Sequence, residues 1–313
     1  ILKGRVDGLD ARVGVLEANQ FSTTTKLKGI ATFVVGGASN ANTPFSKGVG
    51  ILNGLGAGIP QSTNQITFNY DLKLNLDTSF TGKDLLRTTL RANNFQNSVF
   101  GQAGSAALEV ASNPSNTNAD TVGINRLFYQ FPIGQNVTAT FGAKVRQDDM
   151  LAIWPSAYNA DTILDRFQYA GASGVYNYNL GAGVGLSYKK NGFSISANYI
   201  SNQLTAGNSS SPTALLGSGA ITSQDGIGSA NTTTVQVGYA ASNWGAAFAY
   251  NYTQASSLFG SGFPQIAIND VNASYGAAGS NNLGFSAYWQ PTKTGIIPSI
   301  SAGVGTTYFN GGG

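Results

Sequence analysis

Cysteine and histidine are both absent from the 313 residues. Disulfides, thiolate or imidazole metal ligands, and every nucleophilic mechanism that uses either side chain are thereby excluded. Charge is scarce as well: Asp, Glu, Lys and Arg make up 10% of the chain, against about 25% in an ordinary soluble domain. Polarity is carried instead by 41 glycines and by Asn, Ser and Thr, a composition poorly suited to a soluble surface of this size. The net charge of +3 comes from scattered basic residues rather than from a cluster, which argues against a nucleic-acid partner. No apolar run approaches the roughly eighteen residues of a membrane helix, and no signal peptide opens the chain. Any membrane span must therefore be a β-strand.

What the chain does have is alternation. In QITFNYDLKLNLDTSF, residues 65–80, Ile66, Phe68, Tyr70, Leu72, Leu74 and Leu76 fall between polar residues without a slip. Such a period of two puts one face of a strand in an apolar medium and the other in a polar one. The apolar face points either inward, as in a soluble β-protein that binds a ligand or partner, or outward to lipid, as in a transmembrane barrel. Eleven strands are expected, at 23–35, 65–78, 84–95, 122–131, 136–146, 175–189, 192–201, 231–241, 244–253, 282–290 and 295–309. Between them long connections (36–64, 96–121, 147–174, 202–230, 254–281) alternate strictly with short ones (SFTGK, PIGQ, KKNG, ASN, QPTKT). A membrane barrel has short turns at one end and long loops at the other, whereas a sandwich has no reason to.

Aromatics support the outward reading. Phe80, Phe131, Tyr188, Phe193, Tyr239, Trp244 and Trp289 fall near the short turns, and Tyr70, Tyr176, Tyr178, Tyr199, Tyr250 and Tyr252 near the long loops, as the two interfacial girdles of a barrel would. The fold class expected is therefore all-β, a transmembrane antiparallel barrel over residues 21–313. The opposite register then lines a lumen, with Lys26, Lys28, Asp71, Lys73, Arg87, Arg91, Lys144 and Arg146 on its wall. Charges there stay hydrated and set ion selectivity. Bacterial single-chain barrels have an even strand number, so an odd count ending in TYFNGGG leads us to expect further strands beyond this sequence.

The long loop RQDDMLAIWPSAYNADTILDRFQYAG gathers Asp148, Asp149, Asp161, Asp165 and Arg166. Carboxylates of this kind bind hard cations through oxygen, but a loop held by Asp–Arg pairs and Trp154 explains them more simply, and no metal site is assigned. We expect this loop to fold into the lumen as a constriction, facing Lys144 and Arg146. GAGVG (181–185) reads as strand rather than phosphate loop, because apolar residues alternate with the glycines and no helix follows. No cofactor and no enzymatic machinery is indicated.

Residues 1–20 differ from the rest. Leu2, Val6, Leu9, Val13 and Leu16 recur at spacings of four and three, a heptad seam. Gly4, Gly8 and Gly14 weaken an isolated helix by about 1 kcal/mol each relative to Ala, so the segment is expected either to self-associate as a short coiled coil or to lie on its own barrel.

Several phrases carry a family likeness: LEANQFSTTTKLKGIATFVVGG, DTSFTGKDLLRTTLRANNF, RLFYQFPIG, WPSAYNADTILDRFQYAGA, ASNWGAAFAYNY and GFSAYWQPTKTGIIPSISAGVG. They span nearly the whole chain, and it resembles the cyanobacterial outer-membrane porins of the OprB-like, iron-uptake-porin family. The resemblance implies a water-filled channel of about sixteen strands in the outer membrane, in contact with its lipid and with the N-terminus periplasmic. It implies a homotrimer, passage of ions and small solutes with carbohydrate or iron among them, and peptidoglycan anchorage through a domain not in this sequence. If the seam gathers three copies, crosslinking of detergent-solubilised protein should trap trimers through Leu2 to Leu16. Monomers alone would refute that role.

Overall fold

The computed structural model of the protein describes residues 24–37, 65–96, 98–101, 108–111, 119–161, 169–202, 206–207, 209, 226–228, 231–254, 279–293, 296 and 298–310. They form one 11-stranded sheet in which each strand pairs antiparallel with the next in sequence. The strands are β1 (Thr25–Gly36), β2 (Thr67–Thr78), β3 (Leu85–Asn93), β4 (Gly123–Ile133), β5 (Val137–Arg146), β6 (Leu180–Lys190), β7 (Phe193–Asn202), β8 (Asn231–Ala240), β9 (Trp244–Thr253), β10 (Ser280–Trp289) and β11 (Ile300–Phe309). β1 and β11 are the two edges of the described sheet. The expected coiled coil at residues 1–20 lies outside the described residues.

The burial pattern is the reverse of a soluble core. Phe33 and Phe68 are each 68% exposed and Val304 67%, while Asn251 and Asn282 are 0% exposed and Gln236 1%. The apolar register that includes Leu27, Val184, Leu186, Val235, Val237, Phe248 and Phe285 faces out. Ser194, Ser196, Thr232, Thr234, Thr253 and Ser280 are buried on the other face. A sheet folded in this sense is at home only where its outside meets an apolar medium, so the rival reading of an inward apolar face fails. At the long-loop end the outward tyrosines anchor through their hydroxyls, Tyr70 to Asp120 at 2.7 Å and Tyr250 to Asn281 at 2.6 Å.

Nine strands lie within two residues of their expected bounds; two depart further. β6 starts at Leu180 rather than 175, because the backbone of 175–179 is held by Gln147 instead of by a neighbouring strand. Gln147 Nε2 donates to the Val175 carbonyl at 2.8 Å and its amide donates to the Asn179 carbonyl at 3.1 Å. β11 starts at Ile300 rather than 295, since Pro298 has no N–H to contribute to a ladder. The β6–β7 hairpin turns at Asn191 (φ +52°) and Gly192 (φ +83°), the pair of positive angles a tight two-residue hairpin requires.

The polar face is not left open. Residues 147–161 and 169–179 lie along it, from β7 to β11 and back to β8, tied by side chains that meet their backbone. Ala152 N–H donates to Ser196 Oγ (2.7 Å) and Ala157 N–H to Ser301 Oγ (2.8 Å), while Ser286 Oγ donates to the Ala170 carbonyl (2.6 Å). On the return, Asn177 reaches Thr253 and Asn179 reaches Thr232, each at 3.2 Å. Glycines in the wall make room. A Cβ on Gly303 would lie 2.0 Å from the Ala170 oxygen, and one on Gly185 would lie 2.8 Å from Met150 sulfur. Backbone at 170 cannot yield as a flexible side chain would, so Gly303→Val should displace the segment at a cost of about 1–3 kcal/mol. The thermal midpoint is expected to fall while the far-ultraviolet β signal stays. An unchanged midpoint would mean that this segment does not rest on β11.

Candidate functional site

Among the described residues, charge is confined to one half of the polar face. β2 and β3 carry Asp71, Lys73, Asp77, Arg87 and Arg91, and their register sets Asp77 opposite Arg87 and Lys73 opposite Arg91. Arg87 Nε reaches Asp77 Oδ1 at 2.8 Å, and Arg91 Nε reaches Asp71 Oδ1 at 2.6 Å. The Arg91–Asp71 pair is almost entirely buried, so removing either member would strand a buried charge, at about 3–5 kcal/mol. Arg87 is more open.

Two connections add the remaining acids. A short 3-10 turn, Glu109–Ala111, brings Glu109 to Lys73 (3.3 Å) and Arg146 (3.4 Å). A second, Gln147–Met150, follows β5 directly. There Asp148 grips the Arg146 guanidinium, with Nη2 at 2.7 Å, while Asp149 pairs with Arg126 Nε at 2.7 Å and accepts from the Arg146 N–H at 3.0 Å. Asp161 returns to the same place, 2.9 Å from Arg146 and 3.8 Å from Lys73. The recess between these groups holds about 150 Å³ and is lined by Thr32, Lys73, Arg87, Arg126, Arg146 and Asp161 among others.

Aromatic rings back this charge cluster. Trp154 stacks on Tyr178 at 5.4 Å and meets Tyr176 edge-on at 5.2 Å, and the Arg146 guanidinium lies 4.5 Å over the Tyr178 ring. The expectation that Tyr176 and Tyr178 belong to an outer girdle is therefore corrected. Both are buried under the inner segment, where Tyr178 adopts φ +53° and Tyr176 accepts from Gln236 Nε2 at 3.0 Å. Burial pushes the Tyr176 phenol up to about 12 and the Tyr178 phenol higher still.

The structure thus brings Asp71, Lys73, Arg87, Arg91, Arg146, Asp148, Asp149 and Asp161 together. Lys26 and Lys28 sit exposed near the short-turn end, where Lys28 pairs with Asp77 at 3.3 Å. Lys144 does not meet the loop acids as expected: the register slips between Gly142 and Val145, alternation breaks there, and among the described residues Lys144 forms no ion pair. Asp149 takes Arg126 in its place. The loop acids were expected to oppose the wall bases; they touch them. Asp165, Arg166, Leu2, Val6, Leu9, Val13 and Leu16 lie outside the described residues.

Glu109 and Arg126 are the two members that sequence reading missed. Arg126 follows a bulge at the β3–β4 boundary that shifts register between Thr89 and Leu90, so strict alternation misplaces it. Glu109 had a visible mark, a single acid inside the apolar run ALEVA of a polar connection.

The comparisons with known proteins bear on this geometry. The family described as "Carbohydrate-selective porin, OprB family" matches residues 1–189, more than half of the chain. An uncharacterised protein of Nostoc sp. is 38% identical over 143 residues, 42% of this chain and 21% of its own length. One of Synechocystis sp. is 36% identical over 138 residues, 44% of this chain and 22% of its own. The matched part thus spans about a fifth of these relatives. Two variants of a Rhodopseudomonas blastica porin superpose with a TM-score of 0.41 at 11% and 12% identity, over 85% of this chain and 69% of theirs.

Asp161 generates a pH prediction. Burial raises its carboxyl pKa, but the fields of Arg146, Lys73 and Arg126 outweigh this and hold it well below the usual carboxylate range. A depressed folded-state pKa gives stabilisation that is complete above the unfolded value of about 3.9 and is lost only as pH falls below it toward the folded one. The difference in thermal midpoint between the protein and Asp161→Asn should therefore stay constant from pH 7 to about pH 4.5 and shrink only under more acid conditions. A difference that already closes near pH 6 would contradict the pairing with Arg146 and Lys73.

Proposed function

Because the chain belongs to the carbohydrate-selective porin, OprB family, we propose that it forms an outer-membrane channel for passive diffusion of inorganic ions and small hydrophilic solutes, carbohydrate among them. The single observation that carries this reading is the inverted burial: large apolar side chains outside, Asn, Ser, Thr and ion pairs inside. Family and fold point to a channel rather than an enzyme. In this reading the loop at 147–174 is the constriction, the N-terminus is periplasmic, and the seam at residues 2–16 joins three copies. Those last two features are supported by the alternation of loop lengths and by the family likeness.

The recess decides what such a channel would prefer. In and around it the acids Asp71, Asp77, Glu109, Asp148, Asp149 and Asp161 nearly match the bases Lys73, Arg87, Arg91, Arg126 and Arg146, and most are locked in pairs. Paired charges cancel at a distance. The field felt by a passing ion comes chiefly from the accessible members: Asp161, 53% exposed, and Arg87, 31% exposed. Lys26 and Lys28 add positive charge toward the short-turn mouth.

A unit charge about 8 Å from an ion in water contributes about 0.5 kcal/mol, a factor of about two in relative permeability. In planar bilayers under a salt gradient, Asp161→Asn should raise the anion-to-cation permeability ratio by about that factor, and Arg87→Ala should lower it. Arg91 is a poor probe, since its loss threatens the fold before it reports on conduction. Reversal potentials unchanged in both variants would show that these side chains do not face the conducting path.

A further inference from the structure

We propose that Glu109 restrains the anion preference of this channel by masking Lys73, an inference that rests on the channel reading above. Lys73, Glu109, Arg146 and Asp161 form a closed ring in which cation and carboxylate alternate. Lys73 Nζ lies 3.3 Å from Glu109 Oε2, Glu109 Oε1 lies 3.4 Å from Arg146 Nη1, Arg146 Nη2 lies 2.9 Å from Asp161 Oδ1, and that oxygen lies 3.8 Å from Lys73 Nζ. The two acids are not equivalent. Asp161 faces water, which weakens its hold on Lys73 at 3.8 Å, whereas Glu109 is 5% exposed and acts on Lys73 through a medium of lower dielectric.

Other groups around the ring decide which cation depends on Glu109. Arg146 also holds Asp148, so it keeps two carboxylates if Glu109 is neutralised. Arg91 lies 3.9 Å from Glu109 Oε2 but has its own partner in Asp71, and its Nη2 binds the Glu109 main-chain carbonyl at 3.2 Å. Among the described residues Lys73 would retain only the long contact to Asp161. Lys73 lines the recess and its side chain is 13% exposed, so the charge released is presented at the recess rather than buried elsewhere. Glu109 is well placed to do this without moving: Val110 and Ala111 of the same turn pack with Phe95, against Val34, Phe100 and Leu108.

Reversal potentials of the full chain in planar bilayers under a potassium chloride gradient test the assignment. Glu109→Gln should raise the anion-to-cation permeability ratio about twofold or more, and adding Lys73→Met should return it to the wild-type value. If Glu109→Gln does not assemble, Lys73→Met alone should lower the ratio and the double substitution should restore it. The assignment is overturned by an unchanged ratio in Glu109→Gln, by a shift that persists when Lys73 is also neutral, or by a rise in conductance with no change of ratio. That last result would make Glu109 a mere latch for the connection that carries it. Wild-type protein that conducts nothing would instead sink the channel reading itself.

Discussion

A sheet that turns its large apolar side chains outward must satisfy everything polar within itself. Lipid offers no partner for a backbone N–H or carbonyl, so each strand pairs with its sequence neighbour throughout the described sheet. The side chains left inside are those that can hydrogen-bond at short range. Asn, Ser and Thr dominate, and they bind either one another across strands, as Asn251 and Thr234 do at 2.8 Å, or the backbone of the inner segment, as Ser286 does at Ala170. The low charge content of the chain follows from this arrangement: the outside cannot carry charge and most of the inside is covered.

Covering the inside is a second consequence. Residues 147–161 and 169–179 have little regular structure of their own, yet their backbone groups find donors and acceptors on the wall from β7 to β11. Wall glycines bring the two backbones close. Gln147 does for the segment what a neighbouring strand does elsewhere, taking up the carbonyl of Val175 and contacting Thr234 at 2.6 Å. The uncharged half of the wall thus serves as a seat for the segment, and the charged half, β2 to β5, remains as the surface of the recess.

Where the segment reaches that charged half, Arg146 is the meeting point. It ends β5, starts the inner segment, and contacts Glu109, Asp148, Asp161 and the face of Tyr178. Burying such a guanidinium is tolerable only because every direction offers a carboxylate or a π face. The same pairing explains why a recess crowded with charge is nearly neutral.

Local sequence was enough for the strands, the short turns and the direction of the apolar face. A period of two is a local property, as is the need for positive φ at Asn191-Gly192, and both survive in the fold within two residues at most strands. The presence of Asp71, Lys73, Arg87, Arg91 and Arg146 on the inner face was legible for the same reason. Partners were not. Whether Asp149 meets Lys144 or Arg126 depends on bulges that shift register by a single residue, and Glu109 reaches Lys73 only because its connection folds back onto β2. VYNYN at 175–179 alternates like a strand, yet Gln147, distant in sequence, captures its backbone first. Side-chain pattern is written residue by residue and can be read so. The ion pairs and the inner segment are decided by which distant groups the folded sheet brings within 3–4 Å of one another, and that is a property of the tertiary structure alone.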